Sequence, residues 1–175
     1  MPLMLFVCTG NVCRSSFAER YAQLVVERTA VTGWAFASAG VGALVGSAMD
    51  GCMATELEHL GGDPGGFRSR SLSREIIDSA DLIVGMETFH RSYVLDDYPA
   101  LVRRCFTLGQ LARVARDHPA ELHGAELLQA IGAVRRRVRE EDDIPDPYRR
   151  GQAVAHEVAG RIASLLDEVV PRLAD

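Results

Sequence analysis

Apolar positions open the chain as an unbroken run, Leu3-Met4-Leu5-Phe6-Val7. A continuous apolar run this short, followed by a glycine-containing loop, predicts a strand buried on both faces. Beyond the loop Phe17, Tyr21, Leu24, Val25 and Arg28 recur at helical spacing, so a helix is predicted to begin near Arg14. The same reading gives strands near 3–8, 34–38, 81–86 and 103–107. Helices are predicted near 14–30, 48–60, 73–78, 88–95, 108–117, 122–140 and 151–171. The last is well marked, with Val154, Val158, Ile162, Leu165, Leu166 and Val169 on one stripe. Strand–helix alternation predicts an α/β fold: a doubly wound, parallel four-stranded sheet with helices on both faces. Open sheets of this kind bind ligands beyond the carboxyl ends of their strands, and Cys8 lies at such an end.

Composition narrows the picture. At 175 residues and 47% hydrophobic, a single domain over 1–175 with a sizeable core is expected. A net charge of −5 argues against general nucleic-acid affinity. No apolar run approaches the roughly 20 residues of a membrane span. Four cysteines without a signal-peptide pattern point to a reducing cytoplasm rather than a disulfide scaffold. The run Gly61-Gly62-Asp63-Pro64-Gly65-Gly66 lacks the Lys-Ser/Thr of a nucleotide loop and is read as a connection. The five histidines show no metal spacing and are read as surface residues, so neither metal nor cofactor is expected.

The chemistry concentrates in Cys8-Thr9-Gly10-Asn11-Val12-Cys13-Arg14-Ser15. A small loop between a strand and a helix start points successive backbone amides at one spot, which makes an anion cradle. Gly10 and Asn11 are residue types that tolerate the left-handed backbone such a loop needs. Arg14 adds a planar fork for two phosphate oxygens. A thiol set among amides, a helix N-terminus and a guanidinium favours its thiolate. Cys8 is the nucleophile placed in the cradle, and Ser15 is placed to donate to its sulfur. The step this predicts is in-line attack on phosphorus, giving a phosphocysteine that water hydrolyses.

A second motif lies far downstream, Ile144-Pro145-Asp146-Pro147-Tyr148. Two prolines hold the segment extended and fix the Asp146 carboxyl on a rigid loop. A monoester's leaving oxygen needs a proton, and Asp146 is the candidate general acid.

These paired motifs resemble the low-molecular-weight protein tyrosine phosphatases. The likeness extends through Ser38-Ala39-Gly40, the strand segment 80–86, Tyr98-Pro99 and Phe106-Thr107-Leu108. The resemblance implies a flavodoxin-like phosphotyrosine phosphatase topology. It implies Cys8 as nucleophile, Arg14 as phosphate clamp and Asp146 as general acid and then base. Thr9, Gly10, Asn11, Val12, Cys13 and Ser15 are expected to surround the phosphate, and Leu44 and Val45, after Ser38-Ala39-Gly40, are expected to form the pocket wall with Tyr148. The implied partner is a phosphorylated protein, phosphotyrosine foremost, with inorganic phosphate as product and the chain a monomer or weak dimer. Many members carry a cysteine at the position of Cys13; it either packs behind the loop or pairs reversibly with Cys8 under oxidation.

Some positions depart from the pattern. Ser16 stands where the family commonly has proline. Phe67 stands where a loop-supporting histidine is common, which leaves open how Asn11 is held. Tyr148 is followed by Arg149 and Arg150 rather than a second aromatic. At Val12 an apolar side chain accompanies tyrosine-directed members and threonine accompanies phosphoarginine-directed ones, so Val12 favours an aryl phosphate. The alternatives are a protein-arginine phosphatase, a thiol-dependent arsenate reductase that would need Cys52 or Cys105, and a phosphoprotein-binding module. The stretch 109–143 reads as an extended helical insertion beside the site. Within it, Arg135-Arg136-Arg137-Val138-Arg139 is either a solvated helix face or a device that steers an anion.

Overall fold

The structure, a computed structural model, describes residues 1–29, 33–134 and 137–173. Four strands form one sheet: β1 (Leu3–Cys8), β2 (Ala35–Gly40), β3 (Leu82–Gly85) and β4 (Cys105–Thr107). Their order is β2-β1-β3-β4, and each adjacent pair is parallel. β1 is therefore interior, which is why its run is apolar on both faces. Met4 and Phe6 join one core with Leu82, Val84 and Phe106, while Leu5 and Val7 join the other with Ile83 and Cys105. Each such side chain, fully buried, contributes about 1.5–3 kcal/mol.

The helices are α1 (Arg14–Thr29), α2 (Gly51–His59), α3 (Arg74–Ser79), α4 (Thr88–Asp97), α5 (Leu108–Arg116), α6 (Gly124–Ala133) and α7 (Gln152–Leu173). On one face α1 and α7 meet through Phe17, Tyr21, Val158, Ile162 and Leu166. Tyr21 donates to the Asp167 carboxylate, and Trp34 Nε1 donates to Leu173 O. Ile77 of α3 and Val94 of α4 cover the opposite face. No described helix is long and apolar enough to cross a membrane.

Several boundaries differ from those read off the sequence. β2 runs on past 38 to Gly40, where it pairs with Cys8. β4 begins only at Cys105, because Pro99 starts a 3-10 turn through Arg103 and Arg104 N–H closes it on Leu101 O. The helix expected over 122–140 ends at Ala133. Beyond Ile131 no described residue is buried until Asp142, so nothing rewards continuing the helix. Arg135 and Arg136 lie outside the described residues; Arg137, Val138 and Arg139 are not helical.

Candidate active site

β1 delivers Cys8 to the carboxyl edge of the sheet, and the loop that follows is shaped by where its carbonyls go. The carbonyls of Cys8, Thr9, Gly10 and Val12 accept from the amides of Val41, Gly42, Leu44 and Asp50 at 2.8–3.0 Å. With the carbonyls committed outward, loop amides turn inward: Asn11 N–H points at Cys8 Sγ, 3.3 Å away. Asn11 makes the turn with φ +54°; Gly10, contrary to the sequence expectation, keeps an ordinary φ. Gly40 is the glycine that the site requires, since a Cβ there would lie 2.4 Å from Thr9 O and 3.0 Å from Asn11 N.

The buried Asn11 side chain knits the loop together. Its amide donates to Ser15 Oγ at 2.9 Å and to Ser38 Oγ at 2.8 Å, and its oxygen accepts from Arg70 N–H at 2.8 Å. Ser38 passes its own hydrogen to Glu19 Oε2 at 2.6 Å. These contacts answer how Asn11 is held when Phe67 stands in place of histidine. Burial raises the Glu19 carboxyl above its ordinary range, opposed by the Ser38 hydroxyl. Because Ser15 Oγ accepts from Asn11, its hydrogen is free for Cys8 Sγ, 2.9 Å away. The sulfur thus has two donors directed at it.

Arg14 opens α1 and is 1% exposed. Its Nη1 is fixed by Glu87 Oε2 at 2.6 Å and by Ile144 O at 2.8 Å, while Nη2 lies 3.4 Å from Asp146 Oδ2. Its buried Nε has no hydrogen-bond partner among the described residues. One edge of the guanidinium is anchored at Nη1, and the other meets only the half-exposed Asp146 carboxylate among the described residues.

Asp146 is held from several sides. Ile144 N–H donates to Met86 O at 2.8 Å, and Asp143 Oδ1 accepts from Thr88 N and Oγ1 at 2.6 and 2.8 Å. Arg113 of α5 makes a two-pronged bond to the buried Asp142 carboxylate at 2.9 and 2.7 Å. That pair holds Asp142 below the usual carboxylate range despite burial. Gly109 lets α5 approach, since a Cβ there would sit 2.5 Å from Asp142 O. The stretch after β4 is therefore a brace for the loop that carries Asp146. Asp146 itself accepts from Tyr148 N–H at 3.2 Å and is half exposed.

Cys8, Thr9, Gly10, Val12, Cys13, Arg14, Leu44, Asp146 and Tyr148 line one cavity of about 160 Å³. Val45 does not line it; its side chain faces solvent at 68% exposure. Tyr148 forms an aromatic edge, with the Arg149 guanidinium 5.1 Å from its ring centroid. Cys13 is a buried free thiol, pushed up by burial and then by Asp50 and Cys8. Cys105 packs in β4 and Cys52 is half-buried in α2.

A family model for low molecular weight phosphotyrosine protein phosphatases matches residues 3–124. The chain belongs to that family. A probable low molecular weight protein-tyrosine-phosphatase, EpsP of Ralstonia nicotianae, is 28% identical over 170 residues, covering 97% of this chain and 94% of that protein. A protein-arginine-phosphatase of Geobacillus stearothermophilus is 34% identical over 107 residues, 61% of this chain and 71% of that protein. Among solved structures, the low molecular weight protein tyrosine phosphatase of T. tengcongensis superposes with a TM-score of 0.75 at 26% identity, covering 97% and 98% of the two chains. Within this phosphatase fold the chain keeps the α/β architecture with a four-stranded parallel sheet that its sequence predicts.

Sequence reasoning missed several residues that touch the phosphatase loop. His90, expected at the surface with the other histidines, is fully buried. Its Nδ1 accepts from Glu87 N–H at 3.1 Å, so Nε2 carries the proton and donates to Thr9 Oγ1 at 3.0 Å. Burial, then Arg14, lowers its pKa to about 4. Ser38, Arg70 and Glu87 were missed as supports because each meets the loop from a distant part of the chain, and Glu19 because it acts on the loop only through Ser38. The one available signal was Ser38-Ala39-Gly40, where Gly40 permits the close approach that brings Ser38 under Asn11.

Proposed function

We propose that this chain hydrolyses phosphotyrosine in proteins through a phosphocysteine intermediate. The observation that carries the reading is that Cys8, Arg14 and Asp146 face one small cavity with two donors on the sulfur. The phosphoryl group sits among the loop amides of residues 9–13, with two oxygens on the Nε and Nη2 edge of Arg14. The Cys8 thiolate attacks phosphorus; the S–P bond forms as the P–O bond to tyrosine breaks. Asp146, in its acid form, gives the leaving oxygen its proton. The resulting carboxylate then takes a proton from water as the water oxygen attacks phosphorus. The S–P bond breaks, inorganic phosphate leaves, and the Ser15 hydroxyl and Asn11 N–H receive the returning sulfur charge.

Val12 and Tyr148 support an aryl substrate, since both pack against a phenyl group and the apolar Val12 side chain offers a guanidinium no hydrogen bond. The similarity to the Geobacillus protein-arginine-phosphatase supports phosphoarginine as the second reading. Comparing kcat/KM for matched phosphotyrosine and phosphoarginine peptides, with Cys8→Ser as blank, decides between them: phosphotyrosine is turned over faster. A phosphoarginine preference reverses the assignment. No turnover of either, with binding intact, leaves a phosphoprotein-binding module.

The chain acts in a reducing cytoplasm as a single domain, with the helical stretch after β4 as an added brace. Cys13 serves as the redox partner: after peroxide converts Cys8 to a sulfenic acid, the Cys13 thiol attacks that sulfur, the disulfide forms and water leaves. Cys13→Ala then recovers less activity on thiol treatment than the parent; equal recovery removes this role.

A further inference from the structure

A second concavity, of about 760 Å³, opens between α4, the 3-10 turn at Pro99–Arg103, β4 and the end of α6. It shares no lining residue with the thiol cavity. Its wall includes the buried Phe106 and Ile131 with the half-buried Leu95. Arg91, Arg103 and Arg137 also line it. Arg91 donates through Nε to Cys105 O at 2.9 Å, and its two terminal nitrogens make no hydrogen bond among the described residues. None of these three arginines makes an ion pair among the described residues.

The charge pattern runs against that of the whole molecule. The chain carries 24 acidic and 19 basic residues, yet among the described residues no carboxylate lines this cleft. Guanidinium groups gathered without counter-charges repel one another, and an anion between them relieves that repulsion. The volume falls in the range of small-molecule sites, roughly 300–1,000 Å³. Such sites combine an apolar wall with a few polar groups that fix orientation. The fork geometry of arginine suits carboxylate, sulfonate and phosphate groups.

We propose that this cleft binds a small organic anion, its apolar or aromatic body on Phe106, Leu95 and Ile131 and two or more acidic groups on Arg91, Arg103 and Arg137. The concave shape and volume favour a compact ligand over an extended acidic segment of a protein. This site goes beyond the phosphatase reading and does not depend on it.

Naphthalene-1,5-disulfonate, an aromatic dianion, is the probe. The full chain is titrated by calorimetry with inorganic phosphate present to occupy the thiol loop. Saturable binding is expected, weakened by salt, with the largest NMR shifts at the amides of Phe106, Ile131 and Gly132. Arg103→Glu/Arg137→Glu is the test variant, because neither side chain makes a hydrogen bond among the described residues, and the substitution leaves thermal stability unchanged. It weakens the probe at least tenfold while p-nitrophenyl phosphate turnover is retained. Absence of binding, or binding indifferent to the variant, overturns the proposal. Saturable binding of a hexaglutamate peptide without binding of the disulfonate also overturns it, in favour of a protein-docking surface. Loss of the phosphatase reading would leave the disulfonate titration untouched.

Discussion

Glu87 Oε2 stands 2.6 Å from Arg14 Nη1, tying the N-terminal turn of α4 to the first residue of α1 across the top of the sheet. Arg14 is almost wholly buried, so its orientation is set by this carboxylate and by Ile144 O rather than by solvent. The clamp is built before any ligand arrives, and the groups that build it lie outside the loop.

Removing the charge of that anchor is therefore expected to reach the chemistry. Glu87→Gln keeps the shape but weakens a charge-assisted bond, and kcat/KM for an aryl phosphate falls about tenfold, about 1.4 kcal/mol. Glu87→Ala falls further, because Nη1 retains only Ile144 O. Steady-state kinetics of both variants beside the parent measure this; unchanged values would mean that Arg14 is positioned by the loop alone.

His90 gives a prediction in pH. Its pKa is about 4 in the folded chain against 6.5 as an ordinary imidazole. Between those values the unfolded chain takes up a proton that the folded chain refuses. The contribution of the neutral His90 is thus complete above pH 6.5 and is lost as the pH falls toward 4, about 3 kcal/mol in all. Urea midpoints measured from pH 7 to 4 for the parent and for His90→Asn, which keeps an acceptor for Glu87 N–H, should converge toward acid. Parallel curves would mean that the imidazole is protonated in place.

Asp146 gives a prediction in leaving group. An acid that protonates the departing oxygen matters most when that oxygen is strongly basic. Asp146→Ala should lose rate steeply on phosphotyrosine and much less on p-nitrophenyl phosphate. Equal losses on both would assign Asp146 to charge placement beside Arg14 rather than to proton transfer.

Much of this was legible in the sequence where contiguous residues carry the signal. The Leu3–Val7 run, the loop from Cys8 to Ser15, the proline-framed Asp146 and the apolar stripe of α7 each announce themselves locally, and the structure brings Cys8, Arg14 and Asp146 to one cavity. What stayed hidden is carried by contacts between distant residues. Thr9 meets His90, Asn11 meets Ser38 and Arg70, and Arg14 meets Glu87 only after the sheet has set β1 between β2 and β3. His90 reads as an ordinary polar residue until α4 turns it under the loop. The expected helix over 122–140 ends early for a complementary reason: none of its described residues beyond Ile131 is buried, so packing does not reward its continuation.

In the proposed reaction Cys8 carries the phosphoryl group. The most direct measurement is rapid-quench turnover of p-nitrophenyl phosphate, with the enzyme peptides resolved by mass spectrometry. A burst of nitrophenol matching the enzyme concentration, a phosphoryl group on the Cys8 peptide, and neither signal in Cys8→Ser is the predicted result. Turnover that survives in Cys8→Ser, or a phosphoryl group on another residue, would contradict the account.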